Sequence, residues 1–144
     1  MAGYIEGISR DQVTLFPDRL EDWIDEDHPV RVVDAFIDAM DLVGAGFGRM
    51  SPAQTGRPCY HPSVLLKLFI YGYLNRIPSS RRLEREAGRN VEAMWLIGRL
   101  VPDHKTIADF RKDNGPAIRK TCARFVELCH QIGMLSGGSV AIDG

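Results

Sequence analysis

The chain has 144 residues, of which 44% are hydrophobic and 26% charged, so it is long enough for one domain with a sizeable core. Its apolar runs fall far short of the ~20 residues that a membrane-spanning helix needs, and its N-terminus lacks the basic and apolar regions of a secretory signal. We therefore expect a cytoplasmic chain without a membrane partner, with Cys59, Cys122 and Cys129 as free thiols.

The net charge of −1 conceals an asymmetry along the chain. Residues 1–55 carry 11 acidic and 4 basic side chains, whereas residues 56–130 carry 14 basic and 7 acidic ones. An asymmetry of this kind favours a polyanionic partner for the basic part, most often nucleic acid. The alternative is that the two parts attract each other within one fold.

The first half of the chain predicts three helices. A short one covers residues 18–24, with Asp18 as its cap. The second begins at Pro29 and repeats apolar residues every three or four positions. The third begins at Pro62, is apolar nearly all round and breaks off at Pro78, so we expect it at the centre of the core.

The second half predicts four further helices, each ended by a glycine; the first three begin at a capping residue and the last at a proline. Ser79 or Ser80 caps a helix ending at Gly88, and Asn90 caps one ending at Gly98. The next begins at Asp103 or Thr106 and ends at Gly115, and the last begins at Pro116 and ends at Gly133. The last helix has an apolar stripe formed by Ile118, Cys122, Phe125, Cys129 and Ile132.

These elements predict an all-α fold, a compact multi-helix domain with helix-turn-helix-like elements. Glycine and proline are concentrated in residues 44–61, where the sign of the charge also changes. We therefore divide the chain into an acidic helical segment (1–55), a basic helical core (56–135) and a short terminal segment (136–144). The terminal segment contains the apolar run "VAI" (residues 140–142) followed by Asp143, which is typical of a buried strand.

Five arginines are concentrated around the helix predicted after Pro78, and on that helix they recur at spacings of three and four. A serine at its start, Ser80, lies where a hydroxyl and free backbone N–H groups can receive a phosphate. Short helices separated by tight turns are what a helix-turn-helix module needs. The candidate DNA-binding residues are Arg76, Ser80, Arg81, Arg82, Arg85 and Arg89, with Lys105, Arg111 and Lys112 as a second patch. The alternative is that these basic residues only form a solvent-exposed face and make ion pairs with Glu84, Glu86 and Asp109.

Other chemistry-bearing residues carry weaker signals. Cys59 and His61 lie two positions apart, but the chain has no cysteine or histidine spacing typical of zinc. Local capping is the simplest interpretation of His28, His61 and His104. Trp23 and Trp95 are interpreted as anchors of a core or an interface.

Several segments together resemble a known family. They are "DHPVRVVDAFID", "GRPCYHP", the apolar helix ending in "YGYL", "SSRRLEREAGRN", "PDHKTIADFRKDN" and "VAIDG". Their order and spacing are similar to those of the N-terminal domain of bacterial insertion-sequence DDE transposases, of the InsH-like group. The resemblance covers nearly the whole chain.

The resemblance implies a role for each part. The helical region would bind double-stranded DNA at the terminal inverted repeats of the mobile element, with residues 80–89 favoured as the helix that enters a groove. "VAIDG" would be the first strand of an RNase H-like catalytic domain, truncated here. Asp143 would be its first catalytic carboxylate and a ligand of Mg²⁺ in the full-length transposase.

The second aspartate and the glutamate of that triad are absent from the chain, and one carboxylate cannot hold a metal pair. We therefore expect the fragment to bind no Mg²⁺ and to be inactive in strand cleavage and transfer. An alternative function is a protein-interaction module without DNA contact, in which the acidic segment docks on the basic face of the same or a second copy, giving a homodimer.

Overall fold

The computed structural model describes residues 3–12, 19–47 and 59–133; the second and third ranges are mostly helical, whereas residues 3–12 contain no helix. The α-helices are α1 (Pro29–Asp38), α2 (Pro62–Leu74), α3 (Ser80–Arg89), α4 (Val91–Ile97) and α5 (His104–Gln131). A 3₁₀ turn (Leu20–Trp23) precedes α1, and a π turn (Val43–Phe47) follows it. The predicted all-α class is confirmed. The predicted strand and Asp143 lie outside the described residues, as does most of the predicted linker.

The helices begin at side chains that accept a hydrogen bond from the first helical turn. His28 and His61 each accept from a backbone N–H two residues later through Nδ1, at 3.1 Å, and each precedes a proline at the first helical position. Asn90 and Asp103 accept at 2.9 Å in the same way. The capping interpretation of His28 and His61 is confirmed. Because a cap satisfies N–H groups that have no partner inside the helix, these starts follow from local sequence.

The cap of α3 is Ser79 rather than Ser80. The Ser79 hydroxyl accepts from the backbone N–H of Arg82 at 3.3 Å, whereas Ser80 is the first residue of the helix. We expect Ser79→Ala to lower the free energy of unfolding by about 1 kcal/mol, measured by urea denaturation. Ser80→Ala is the matched control and should change it by less than about 0.5 kcal/mol. Equal losses in the two variants would contradict this assignment of the cap.

Helix α5 contains the two predicted helices, which meet at a kink. The break expected at Gly115 and Pro116 is a kink at Asn114, whose φ of −129° and ψ of 21° are not helical. Pro116 has no N–H to donate to the preceding turn, and its ring crowds the carbonyl one turn earlier, so the helix bends there. The side-chain amide of Asn114 donates to the carbonyl of Phe110 at 3.1 Å, which supports the bend. The prediction that one helix ends here and another begins is therefore confirmed, with the junction at Asn114, one residue before Gly115.

Helix α2 lies at the centre of the core, as predicted. Its residues from Leu65 to Gly72 are buried without interruption, and helices α1, α3, α4 and α5 all contact it. Phe110 of α5 stacks between Phe69 of α2 and Phe47 of the π turn, with centroid separations of 5.8 Å on each side. The predicted stripe of α5 is buried at its first four positions, while Ile132 is 55% exposed.

A buried lysine joins the acidic and basic parts of the chain. Lys67 of α2 is 7% exposed, and its ammonium group lies 2.8 Å from Asp34 and 2.9 Å from Asp38 on α1. Asp34 also accepts from Arg10 at 2.7 Å. The two parts therefore attract each other within one core, as the alternative interpretation of the charge asymmetry expects. Because residues 48–58 are not described, the predicted boundary stays a prediction.

No helix in the described ranges combines the length and the hydrophobicity that crossing a membrane requires.

Candidate nucleic-acid interface

Helix α3 separates an apolar face from an arginine face. Leu83 and Ala87 are fully buried. The opposite face carries four exposed arginines, so the predicted spacing places them together on one surface. We call this surface, formed by Arg81, Arg82, Arg85 and Arg89, the α3 arginine face.

Three of these arginines keep their guanidinium groups available. The guanidinium groups of Arg81, Arg82 and Arg85 form no hydrogen bond or ion pair with any residue that the structure describes, although the charge of Arg82 helps to lower the pKa of Glu86. Arg89 differs, because its Nε and a terminal nitrogen both bond to one carboxylate oxygen of Glu86, at 3.1 and 2.9 Å. An incoming phosphate can therefore bind the first three without displacing an acid, but must compete with Glu86 at Arg89.

Glu86 is held in its charged form. Partial burial alone would raise the pKa of its carboxyl group, but the hydrogen bonds from Arg89 and Asn90 outweigh burial and lower the pKa. Glu86 therefore stays anionic at neutral pH and neutralises one end of the α3 arginine face.

Glu84 faces the neighbouring helix α5 and not the arginines. Its carboxylate accepts from the backbone N–H of His104 at 3.2 Å and lies 2.9 Å from the Nδ1 atom of that residue. Seven residues later along α5, Arg111 donates to the carbonyl of Pro78 at 2.6 Å. Thus the residue later in α5 contacts the residue earlier in the chain, just before α3. These parts of the two helices are therefore antiparallel.

In the second predicted patch, Lys105, Arg111 and Lys112 differ in whether their charged groups already have a partner. Arg111 is hydrogen-bonded to the carbonyl of Pro78, and its guanidinium lies 5.0 Å from the ring centroid of Phe69. Lys105 lies 3.5 Å from Asp109 in an exposed pair. Lys112 is exposed and has no hydrogen bond or ion pair within the described parts of the chain. Arg111 thus has a structural role beside any role in binding.

One arginine of this region was not predicted as a site residue. Arg119 lines a groove between α2, residues 76–78 and α5, together with Arg76 and Arg111. Arg76 follows α2 in a left-handed backbone conformation, with φ at 58°. The three residues are separated by up to 43 positions in sequence, so no local spacing could have grouped them. We call this cavity the arginine-rimmed groove.

The thiols and carboxylates provide no metal site in the three described ranges. No group of three or more His, Cys, Asp or Glu side chains is placed there to hold an ion. Cys122 and Cys129 are buried in the core as predicted, and burial raises the pKa of the Cys122 thiol to about 11. Both therefore stay protonated and act as small apolar side chains.

Comparison with known families identifies the chain. The model of the transposase domain family DUF772 matches residues 18–113, which are 96 of the 144 residues. The chain belongs to this family of transposase domains, and its role lies in transposition. The predicted resemblance to a transposase N-terminal domain is confirmed, while the InsH-like grouping stays a prediction. No curated protein and no solved structure matches the chain significantly.

Proposed function

We propose that this transposase domain binds double-stranded DNA at the terminal inverted repeats of its insertion sequence, with the α3 arginine face as the main contact. The observation that carries the proposal is the exposure of Arg81, Arg82 and Arg85, whose guanidinium groups form no hydrogen bond or ion pair with any described residue. Arginine presents a planar fork of donors that matches phosphate oxygens. Three such groups on one helical face can follow a DNA backbone.

The remaining predicted residues take lesser roles in this proposal. Ser80 and Lys112 add contacts at the ends of the surface, whereas Arg89 and Lys105 contribute less because each has an acidic partner. Arg76 and Arg111 lie at the arginine-rimmed groove, next to the start of α3. The α2–α3 pair, joined by residues 75–79, is our candidate for the helix-turn-helix-like unit, with α3 as the recognition helix.

Catalysis is proposed only for the complete transposase. There, Asp143 would be one carboxylate of a Mg²⁺ site that supplies the charge stabilisation needed for DNA strand cleavage. Asp143 lies outside the described residues, and the described ranges hold no carboxylate group that fits such a site. We therefore assign no cleavage step to them.

The test compares two single-charge variants across a salt series. Fluorescence anisotropy would follow binding to a duplex with the terminal repeat and to a scrambled duplex. We expect Arg85→Gln to weaken binding to both and to reduce the slope of log affinity against log salt by about one unit, because one phosphate contact is lost. Arg124→Gln is the matched control, since Arg124 is also exposed and unpaired among described residues but lies beside α1.

The same experiment can overturn the proposal. Equal slopes for Arg85→Gln and the unmodified chain would show that the α3 arginine face does not touch DNA. Absence of binding to either duplex at low salt would exclude DNA binding by this chain and favour the protein-interaction alternative. A preference for the repeat over the scrambled duplex would add sequence specificity to the phosphate contacts.

A further inference from the structure

An exposed tryptophan projects from an acidic turn. Trp23 is 60% exposed, although the residues on either side of its turn, Leu20 and Ile24, are buried. Arg31 holds the backbone of this turn by donating to the carbonyls of Ile24 and Asp25, at 2.7 and 2.8 Å. Trp23 is therefore displayed on a fixed backbone. Its exposed acidic neighbours are Asp22, Asp25, Glu26 and Asp27, and we call this feature the acidic tryptophan turn.

The arginine-rimmed groove has complementary properties. It has a volume of about 820 Å³, and its apolar lining includes Tyr73, which is 47% exposed, beside the nearly buried Phe69, Ile77 and Ile118. The cations Arg76, Arg111 and Arg119 lie among its lining residues. The stacking of Arg111 on Phe69 and its bond to Pro78 fix one part of the rim in place. A site with an apolar floor and a cationic rim suits an aromatic side chain flanked by carboxylates.

We propose that the acidic tryptophan turn of one copy docks into the arginine-rimmed groove of a second copy. Trp23 would cover the apolar floor, and the neighbouring carboxylates would face the three arginines. Since Trp23 is mostly exposed in the chain described here, it does not fill the groove of its own chain. If the acidic tryptophan turn of each copy binds the groove of the other, the same contact forms twice and the dimer has two-fold symmetry.

A second copy accounts for the groove better than DNA does. A phosphate backbone needs cations but has no use for an apolar floor, because it stays hydrated in most complexes. An aromatic ring uses both parts of the groove, and tryptophan and arginine are the residues most often found at the energetic centre of an interface. The proposal does not depend on DNA binding by the α3 arginine face.

The first test is Trp23→Ala, measured by sedimentation equilibrium of the full chain over a concentration series. We expect the unmodified chain to dimerise and the variant to do so at least about 30-fold more weakly, as is typical for the loss of a central tryptophan. Dimerisation should also shift the tryptophan emission to shorter wavelength, because Trp95 is buried already and only Trp23 changes its surroundings. The variant should lose that shift.

The second test changes the other side of the contact. Arg119→Glu reverses a charge on the rim, and we expect it to weaken dimerisation at least about tenfold. A mixture of Trp23→Ala and Arg119→Glu should still form a heterodimer. In it, the intact turn of the Arg119→Glu chain enters the intact groove of the Trp23→Ala chain. This recovery would also exclude misfolding as the cause of the separate defects.

Three outcomes would overturn the proposal. They are an unmodified chain that stays monomeric at every concentration, a Trp23→Ala variant that dimerises as well as the unmodified chain, and a mixture that forms no heterodimer. If Arg119→Glu weakened DNA binding while leaving dimerisation unchanged, the groove would belong to the DNA interface instead.

Discussion

Replacing Asp34 with alanine is expected to lower the free energy of unfolding by about 3 kcal/mol. Asp34 is the shared acceptor of Lys67 and Arg10, at 2.8 and 2.7 Å, and its side chain is 13% exposed. Its removal leaves the ammonium of Lys67, which is nearly buried, with Asp38 as its remaining partner. Breaking a buried pair in this way is costly because the surviving charge has given up water without full compensation.

The matched control for this prediction is Asp38→Ala. Asp38 lies on the same helix and contacts the same lysine at 2.9 Å, but its side chain is 58% exposed. Its loss should cost no more than about 1 kcal/mol, since an exposed ion pair contributes little in water. Urea denaturation followed by circular dichroism would compare the two variants. Equal losses would show that burial of Asp34 does not determine the strength of the contact.

Replacing Trp95 with alanine is expected to cost about 3–5 kcal/mol, which is typical of removing a buried aromatic ring. Trp95 is 2% exposed. The guanidinium groups of Arg10 and Arg31 lie 4.1 and 5.0 Å from its ring centroid, so two cations lose their aromatic contact together with the core. Its indole N–H donates to Glu21 at 3.0 Å and anchors the 3₁₀ turn that carries Trp23.

The same contact makes part of the stability depend on pH. The hydrogen bond from Trp95, followed by that from Arg31, lowers the pKa of the Glu21 carboxyl below its ordinary value of 4.5. The stabilisation is therefore fully present above that ordinary value and is lost as the pH falls through the lowered pKa. Trp95→Ala should lose part of this dependence as well as its core packing, which denaturation at neutral and acidic pH would measure.

Trp23→Ala serves as the control of the same residue type. Because Trp23 is 60% exposed, its replacement should change the free energy of unfolding by less than about 0.5 kcal/mol. A large loss of stability in this variant would contradict the assignment of Trp23 to the surface. Near-native stability would also establish that any change in its dimerisation arises from the interface and not from the fold.

Much of the local architecture was predictable because its causes lie within one helical turn. Ser79, Asn90 and Asp103 bond to N–H groups two or three residues away, so the helix starts could be assigned without tertiary information. The spacing of Leu83 and Ala87 against the arginines of α3 likewise separates a buried face from an exposed one. The kink at Asn114 was predictable too, because Pro116 lies two residues later and a proline interrupts a helix.

The electrostatic partners could not be predicted in the same way. The sequence offers Glu84 and Glu86 as equal candidates for the neighbouring arginines, but Glu84 turns to His104 on α5 and only Glu86 binds an arginine. Which acid neutralises which cation depends on how the helices pack. That packing determines which guanidinium groups of α3 remain available for phosphate.

By itself, the sequence determined the all-α class, most helix starts, the central place of α2 and the transposase family, because periodicity, capping and motif order are properties of neighbouring residues. The tertiary structure decided the rest. It buried Lys67 against Asp34, enclosed Trp95 while leaving Trp23 exposed, and gathered Arg76, Arg111 and Arg119 around one groove. Lys67 and Asp34 are 33 positions apart, and Arg76 and Arg119 are 43 apart, so only the packing of whole helices brings them together.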